Sequence, residues 1–523
     1  MTNSAPTAEN ISYGQILKSS SIMGGVAAVG LLLGMVRTKF AAVLIGTTGV
    51  GLAANLGAIQ GIVGTLAGLG IQSSAVRDVA SAYAKNDDEQ IGRTVLTLRR
   101  ICWFTGLIGA VSMLLLSPWL SQLSFGSADY RWDIAALGII ILLGNLQGGQ
   151  MALIQGTRRI ADMARVQMIG AVLGTGVTIC FYLWLGLRGI VPALVVMSVV
   201  QLTLSWRFAK RVPVPVVQMS WMDSLRTANG MVRLGLAMMW TGLLGSAVAY
   251  ATNALITHQI GLQAVGVYSA AFALSGMFVN FVLGAMGADY YPRLASLAHD
   301  KVAMNRLVNE QTEIGLLLAI PGLLATLALA PLIVRIFYTI EFLPAVELLQ
   351  WFILGCLGRV ITWPMSMLML ALKESRKYIL IESSFQLLHL AFIAAGLVLF
   401  GLKGAAIAFF AQYIAYAFVV YTISRRLTGF RWPVRSSTLV ALSVIVVISQ
   451  FILCRYLSVS HGAYLELLLA GVVSFVCVGQ IFLRIRNRDI MPAKVRLMVV
   501  SFLGLIVSIS LPFPKSVFAS IRK

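Results

Sequence analysis

The fold is decided by a stretch that occurs twice: IGTTGVG at residues 45–51 recurs as IGLQAVG at residues 260–266. A second pair follows at nearly the same offset, AVRDVAS at 75–81 and YPRLAS at 291–296. Small residues also recur by chance in apolar helices. Two ordered echoes at nearly the same offset, however, are typical of a duplicated unit. The sequence therefore predicts two related halves.

Around these stretches the chain is strongly apolar. Of its 523 residues, 59% are hydrophobic and 11% are charged, whereas soluble domains carry about 25% charged residues. Apolar runs of about 20 residues predict transmembrane helices. Fourteen such runs lie at 20–45, 50–75, 99–122, 134–156, 165–187, 189–208, 233–258, 264–288, 313–338, 345–371, 378–400, 404–424, 436–457 and 463–483. The predicted fold class is an all-α polytopic membrane protein.

The repeat organises these spans. Six spans separate the two copies, and because this number is even, both halves have the same orientation in the bilayer. We expect two pseudo-symmetric six-helix lobes with a pathway between them, followed by two C-terminal helices. The predicted parts are a cytoplasmic N-terminal segment (1–19), an N-lobe (20–210), a cytoplasmic linker (211–232), a C-lobe (233–425), spans 13 and 14 (436–483) and a basic C-terminal segment (484–523).

The charge distribution predicts the orientation. The chain has 40 Lys+Arg against 19 Asp+Glu, a net charge of +21, yet no soluble domain that would carry a nucleic-acid site. With the N-terminus inside, 32 cations lie on the inner side, five on the outer side and three within spans, which satisfies the positive-inside rule. A fifteenth apolar stretch, Leu497–Leu511, would move tail cations outside if it spanned, so we expect an interfacial segment there.

Cofactor chemistry is not indicated. All five cysteines lie in apolar segments without metal-ligand spacing, and no Walker loop for nucleotide binding occurs. Proton or sodium coupling would need an acid within a span. Glu382 comes closest to a useful depth, and His389 follows two turns later on the same helix face. A buried histidine is more often a satisfied core residue, so both interpretations stay open.

Several motifs resemble one known family. They are GTTGVGLAAN at 46–55, LAGLGI at 66–71, LGNL at 143–146, GTRR at 156–159, YPRLASL at 291–297, KESRKYILIE at 373–382, GAAIA at 404–408 and YIAY at 413–416. In this order and spacing they are similar to the Wzx-type O-antigen flippases of the multidrug/oligosaccharidyl-lipid/polysaccharide (MOP) exporter superfamily. The region after about residue 430 departs from the twelve spans common in those flippases. Lipid II flippases of the same superfamily have fourteen, so the subfamily stays open.

The resemblance implies a function. Such a protein moves an undecaprenyl-diphosphate-linked oligosaccharide, an O-antigen or similar repeat unit, from the cytoplasmic to the periplasmic leaflet by alternating access. It implies a bacterial inner-membrane location and no enzymatic activity. The polymerase and chain-length regulator of the same lipopolysaccharide pathway are the candidate partners.

Arg359 is the first candidate for binding the diphosphate. It is the fifteenth residue of a 27-residue span, where a cation costs roughly 2.5–3.5 kcal/mol. A guanidinium offers paired donors that suit phosphate. The alternative is an internal ion pair, but the only acid of this span is Glu347, three turns away.

Arg37 and Lys39 are the other cations within spans. Two residues on a helix are separated by about 200°, so both side chains cannot face one cavity. The side chain that does not face it would extend towards the lipid head groups instead. The sequence does not decide which one lines the pathway.

Further polar residues flank or line the spans. Arg77 and Arg293, the repeat-related pair, lie at the predicted inner mouth; they either receive the diphosphate or serve only the positive-inside rule. Amides within or at the ends of spans are candidates for sugar contacts or for helix–helix hydrogen bonds: Asn55, Gln60, Gln147, Gln150, Asn253, Asn280 and Gln386.

Three other functions compete. A drug or metabolite antiporter of the same superfamily favours an acid-lined, aromatic cavity, whereas the cations within these spans favour an anionic cargo. A polysaccharide polymerase or ligase needs catalytic residues on a sizeable outer loop, and the predicted outer loops are short. A non-transporting scaffold leaves Arg359 and the repeat unexplained.

Overall fold

The computed structural model describes residues 8–85, 87–456 and 459–486, and every long regular element within them is an α-helix. The helices are α1 (Ala8–Gly68), α2 (Ile71–Lys85), α3 (Asp88–Phe125), α4 (Arg131–Gly156), α5 (Ile160–Leu185), α6 (Ile190–Ala209), α7 (Trp221–Gln259), α8 (Leu262–Ser296), α9 (Lys301–Ala328), α10 (Ala330–Phe337), α11 (Ala345–Ala371), α12 (Ser375–Phe400), α13 (Leu402–Thr428), α14 (Val434–Tyr456) and α15 (Val459–Arg486). The stretch Leu497–Leu511 lies outside the described residues.

The membrane-spanning character is confirmed. Within the described ranges, 11 stretches are long and apolar enough to cross a membrane. Two of them, Met23–Gly68 and Ile160–Ala209, contain 46 and 50 residues, enough for two crossings each at about 20 residues per crossing. The predicted all-α polytopic fold class is therefore correct, and the number of fourteen spans is approximate.

A glycine kink separates the first two spans. α1 has 61 residues, which would extend about 90 Å as a straight helix, far beyond a bilayer. Gly46 interrupts it with φ 61° and ψ −167°, a conformation that only glycine adopts without strain. A Cβ here would also lie 3.3 Å from Oε2 of Glu341. The predicted junction of spans 1 and 2 is thus a kink within one element.

The predicted end of span 2 at residue 75 is wrong. α1 ends at Gly68, because Leu69 and Gly70 have positive φ angles of 47° and 64° and break the helix. The chain continues as α2, whose apolar residues cover one face only and whose last turn carries Lys85. Likewise, predicted span 9 (313–338) is divided into α9 and the short α10.

The two copies of the repeated stretch meet each other in the structure. A Cβ on Gly51 would overlap the carbonyl oxygen of Leu262, and a Cβ on Gly266 would overlap that of Thr47. Both glycines and both carbonyls are related by the same offset of 215 residues. The contact is therefore reciprocal, as expected at a pseudo-two-fold axis between duplicated elements, and it requires small residues.

Replacing Gly51 by alanine is expected to destabilise the protein by about 1–3 kcal/mol, because a backbone carbonyl cannot move aside for a methyl group. The thermal unfolding of the detergent-solubilised protein measures this. Gly57→Ala is the matched control, since a Cβ on Gly57 of the same helix meets no atom within 4 Å. Equal melting temperatures of the two variants would contradict the close crossing.

Two compact units make up the chain. The first consists of the described residues up to Ala270, Val334–Pro344 and Glu382–Leu402. The second consists of Ala271–Ile333, Ala345–Ile381 and the described residues from Lys403 onward. In the first unit, Leu56, Met113, Ile134 and Leu137 are fully buried in one core cluster. This core fixes α1, α3 and α4 relative to one another, and these are helices that position the site described next.

The second unit is built around α9 and α11. The α14 and α15 helices, which correspond to predicted spans 13 and 14, both pack against α9. Between α8, α11 and α13 lies an aromatic cluster, in which the rings of Phe272, Phe352 and Phe409 are 5.4–5.8 Å apart. The two C-terminal helices are thus part of this compact unit.

Candidate functional site

A polar cavity of about 540 Å³ lies inside the first unit, lined by α1, α4, α5 and α6 together with Gln72 of α2. The α5 helix contributes one face to it: Gln167, Gly170, Ala171, Gly174 and Thr175, spaced as a helical stripe. A Cβ on Gly170 would lie 2.5 Å from Nε2 of Gln201. The glycine therefore makes room for a glutamine side chain from α6.

The α1 helix contributes a second stripe to the same cavity. Gly30, Leu33, Gly34 and Arg37 follow at intervals of three or four residues and so share a face. An added Cβ at Gly30 or Gly34 would meet no atom within 4 Å. These glycines therefore keep the cavity open in front of Arg37.

Five glutamines line this cavity: Gln60, Gln72, Gln147, Gln167 and Gln201. Among the described residues none of their side-chain amides has a hydrogen-bond partner in the protein. Each amide carries two N–H donors and one carbonyl acceptor. Polar groups inside an apolar helix bundle are costly unless they are satisfied. The cavity is therefore suited to a ligand or water rich in hydrogen-bonding groups.

Arg37 is the one charged residue among the described lining residues. Its guanidinium makes no ion pair and no hydrogen bond within the described part of the chain. An unpaired guanidinium beside unpaired amides favours an anion and disfavours a cation. The electrostatics of the cavity thus suit a polar molecule with negative charge.

Lys39 lies elsewhere. Its Nζ donates to the backbone oxygen of Arg335 at 2.8 Å and also to that of Tyr338. Both carbonyls belong to the last turn of α10 and the residue that follows it, where backbone acceptors lack helical partners. The structure therefore brings Arg37, and not Lys39, to the wall of the cavity.

Replacing Lys39 by alanine is expected to speed hydrogen exchange of the amides in Val334–Pro344 by about fivefold, since the lost hydrogen bonds are worth roughly 1 kcal/mol. Exchange mass spectrometry of the purified protein measures this. Arg37→Ala, two residues away on the same helix, serves as the control and should leave these amides unchanged. Identical exchange in the Lys39 variant and the wild type would refute this packing role.

Arg359 lies in the second unit, half-buried in the middle of α11. Within the described residues its guanidinium has no ion pair and no hydrogen bond. The preceding Gly358 packs closely, because an added Cβ would lie 2.9 Å from Cβ of Tyr413 in α13. Glu347, the acid of the same helix, instead pairs with Arg455 at 2.6 Å. The internal ion pair considered for Arg359 is therefore not formed with Glu347.

Arg77 and Arg293 are exposed and locally paired. Arg77 contacts the neighbouring Asp78 at 2.9 Å, and Arg293 contacts Asp289 one turn earlier at 3.1 Å. Exposed pairs of this kind contribute little to stability. Both cations thus keep much of their solvent exposure and remain candidates for a first contact with an anion.

The amides proposed for sugar contacts lie in different environments. Asn55 is fully buried and donates to Oγ1 of Thr257 at 2.8 Å, and Asn253 donates to the backbone oxygen of Ala54 at 3.3 Å. These two bonds join α1 to α7, which is the helix–helix alternative raised for them. Gln60 lines the cavity, whereas Gln386, on α12, does not line it.

Glu382 and His389 also lie on α12, within the first unit. His389 is buried and Glu382 is partly exposed, and neither lines the polar cavity. Within the described residues no group of three His, Cys, Asp or Glu side chains has the arrangement of a metal site. Their role in coupling stays a prediction.

A smaller cavity of about 270 Å³ adjoins the first one. Gln72 and Gly144 line both. Nδ2 of Asn145 is buried against it and has no hydrogen-bond partner among the described residues. Side chains able to form hydrogen bonds with a ligand therefore line the path from the main cavity towards the α1–α2 junction.

Sequence reasoning missed Gln72, Gln167 and Gln201. The signal was available: in the apolar segment of α5, Gln167 stands at the head of a stripe of small residues that continues to Thr175. Such a stripe predicts a helix face that leaves space. Only the packing of the helices, however, shows that the α5 and α6 faces meet the face that bears Arg37.

A bundle of membrane-spanning helices around a polar cavity is typical of membrane transporters, and solved structures confirm the fold. The lipid II flippase MurJ in an inward closed conformation matches with a TM-score of 0.66 at 12% identity, covering 90% of this chain and 100% of that one. An inward-facing MATE family multidrug transporter of the MOP superfamily matches with a TM-score of 0.61 at 18% identity, covering 78% and 95%.

Sequence comparison gives the family. The profile described as "Polysaccharide biosynthesis protein" matches residues 42–347, more than half of the chain, and the chain belongs to this family. The lipid III flippase of Escherichia coli is 26% identical over 399 residues, which cover 74% of this chain and 92% of that protein. The resemblance to MOP flippases is confirmed, as is the expectation of a transporter rather than an enzyme.

Proposed function

We propose that this protein translocates an undecaprenyl-diphosphate-linked oligosaccharide, an O-antigen or similar repeat unit, from the cytoplasmic to the periplasmic leaflet. The observation that carries the proposal is the cavity in which Arg37 stands beside five glutamine amides without protein partners. A diphosphate that leaves water needs cationic donors, and sugar hydroxyls need groups that both donate and accept. The cavity provides both kinds of group.

Its volume of about 540 Å³ lies within the usual range of ligand cavities, about 300–1,000 Å³. The polyprenyl chain needs no such cavity, because it can stay in the lipid while the head group crosses. The name of the Escherichia coli relative, a lipid III flippase, supports a lipid-linked cargo. Arg359 is the second cation assigned to the diphosphate, and Arg77 and Arg293 are assigned to its first capture.

A drug or metabolite antiporter is the second candidate, because the MATE transporters share the fold. The lining of the cavity argues against it. Among the described lining residues there is no acid and no aromatic side chain, and an organic cation would be repelled by Arg37. A phosphorylated cargo is therefore favoured over a cationic drug.

The charge pattern supports a cytoplasmic N-terminus. The proposal places the protein in the bacterial inner membrane with its N-terminus in the cytoplasm and lobes at 20–210 and 233–425 that alternate access.

Glu382 and His389 are the proposed groups for proton or sodium coupling. A polymerase and a chain-length regulator of the same pathway would receive the product.

Reconstitution tests this function. Proteoliposomes would receive a fluorescent undecaprenyl-diphosphate oligosaccharide, and a membrane-impermeant quencher would report the leaflet that it occupies. Wild-type protein is expected to move the lipid between leaflets and to ignore a cationic dye. Dye transport without lipid movement would establish the antiporter instead.

A further inference from the structure

A second polar cavity lies in the second unit, far along the chain from Arg37. It measures about 660 Å³ and is formed by the first half of α9 and by residues 431–436, which include the first turn of α14. Its charged lining residues are Arg306, Glu310, Glu313, Arg431 and Arg435. Three cations against two acids leave this cavity with a net positive charge.

The ion pairs show which cations are in surplus. Arg306 pairs with Glu310 at 3.2 Å, and Glu313 accepts a hydrogen bond from Oγ of Ser436 at 2.5 Å. Arg431 and Arg435 form no ion pair with any of the described residues. Two exposed guanidinium groups thus line one cavity, and neither is neutralised by an ion pair with a described carboxylate.

Two buried polar atoms at this cavity also lack partners. Asn309 is only 9% exposed; its Nδ2 donates to the backbone oxygens of Asn305 and Arg431, but its Oδ1 has no partner among the described residues. The same holds for the Nε1–H of Trp432. Both residues line the same cavity. A buried acceptor and a buried donor without partners leave hydrogen-bonding capacity that a ligand with both an acceptor and a hydroxyl would satisfy.

The location suits the head-group layer of a membrane. α13 ends at Thr428 and α14 begins at Val434, so the cavity lies where two spans end. The rings of Tyr421, Phe430 and Trp432 cluster there at 5.1–6.3 Å. Aromatic clusters beside basic residues are typical of the membrane–water interface.

We propose that this cavity binds the head group of an anionic glycerophospholipid of the phosphatidylglycerol type, a membrane lipid distinct from the transported cargo. Arg431 and Arg435 hold the phosphodiester, with the Trp432 N–H as a third donor. A glycerol hydroxyl donates to Oδ1 of Asn309. The bound lipid would fasten the start of α14 to α9 within the same unit.

Native mass spectrometry of the full-length protein tests this. The detergent-solubilised protein is mixed with phosphatidylglycerol or with phosphatidylethanolamine, and the bound lipids are counted. Wild type is expected to retain one phosphatidylglycerol in preference. The double variant Arg431→Gln and Arg435→Gln should bind it about tenfold more weakly, since two charge-assisted contacts are lost. Trp432→Phe should weaken binding less.

The matched control removes two charges nearby. Arg425 and Arg426 are exposed in the last turn of α13 and do not line the cavity, so Arg425→Gln with Arg426→Gln should bind phosphatidylglycerol like wild type. Equal retention by the cavity variant and this control would overturn the proposal, as would equal retention of both lipids by the wild type. Displacement by millimolar inorganic phosphate alone would overturn the assignment to a lipid. Transport of the oligosaccharide lipid is a separate measurement, so this proposal and the proposed function fail independently.

Discussion

Replacing Arg37 by alanine is expected to slow translocation of the oligosaccharide lipid by about 100-fold, since hydrogen bonds to charged groups are worth roughly 1.5–3 kcal/mol. The loss is large because Arg37 is the one cation among the described residues of the cavity. The neighbouring glutamines are neutral and cannot replace it. Rates in proteoliposomes, measured with the fluorescent lipid, give the ratio.

Two variants separate charge from position. Arg37→Lys keeps the charge but loses the planar pair of donors, so an intermediate rate is expected. Arg188→Ala removes an exposed cation from the turn between α5 and α6 and should leave the rate unchanged. A wild-type rate in Arg37→Ala would show that the diphosphate does not bind in this cavity.

Replacing Arg359 by alanine is expected to abolish polymer export while the protein still inserts and folds. A cation in the middle of a span costs roughly 2.5–3.5 kcal/mol, so its removal should leave the melting temperature unchanged or raise it. An Arg359 held in a buried ion pair would behave differently, because its loss would strand a charge and destabilise by about 3–5 kcal/mol. Surface polysaccharide and thermal unfolding are therefore measured together.

Arg376→Ala is the matched control, because Arg376 is an exposed residue in the first turn of α12. It should support normal export. Normal surface polysaccharide in a strain whose only copy of the protein is the Arg359→Ala variant would refute the role of Arg359 in transport. A fall in melting temperature together with lost export would point to a structural role instead.

Much of the fold follows from the sequence because the length of each apolar run and the repeated motifs can be read directly from consecutive residues. The fourteen predicted apolar runs extend past the observed helices by at most two residues, apart from span 2, which continues into α2, and span 9, which is divided between α9 and α10. The predicted span 2 is too long, since the apolar residues Leu69 and Ile71 continue the run across a break that only the backbone angles reveal. The repeated glycines 51 and 266 were recognisable, but their mutual contact depends on tertiary packing.

The site was harder to predict because it depends on which helix faces meet. The two-residue spacing of Arg37 and Lys39 showed that they diverge, and only the position of α10 showed where Lys39 goes. Asn55 and Gln60 lie five residues apart on one helix, yet one bonds to α7 and the other lines the cavity. Amide type alone does not distinguish these environments.

Direct binding of the cargo head group tests the assignment of the cavity. A photoreactive residue in place of Gln167, on the α5 wall of the cavity, would be activated in the presence of the undecaprenyl-diphosphate oligosaccharide. Mass spectrometry would then identify the adduct. We predict a sugar–diphosphate adduct at position 167 that is strongly reduced by Arg37→Ala and unaffected by Arg188→Ala. An adduct insensitive to Arg37, or labelling by phospholipid alone, would contradict the binding of an anionic sugar head group in this cavity.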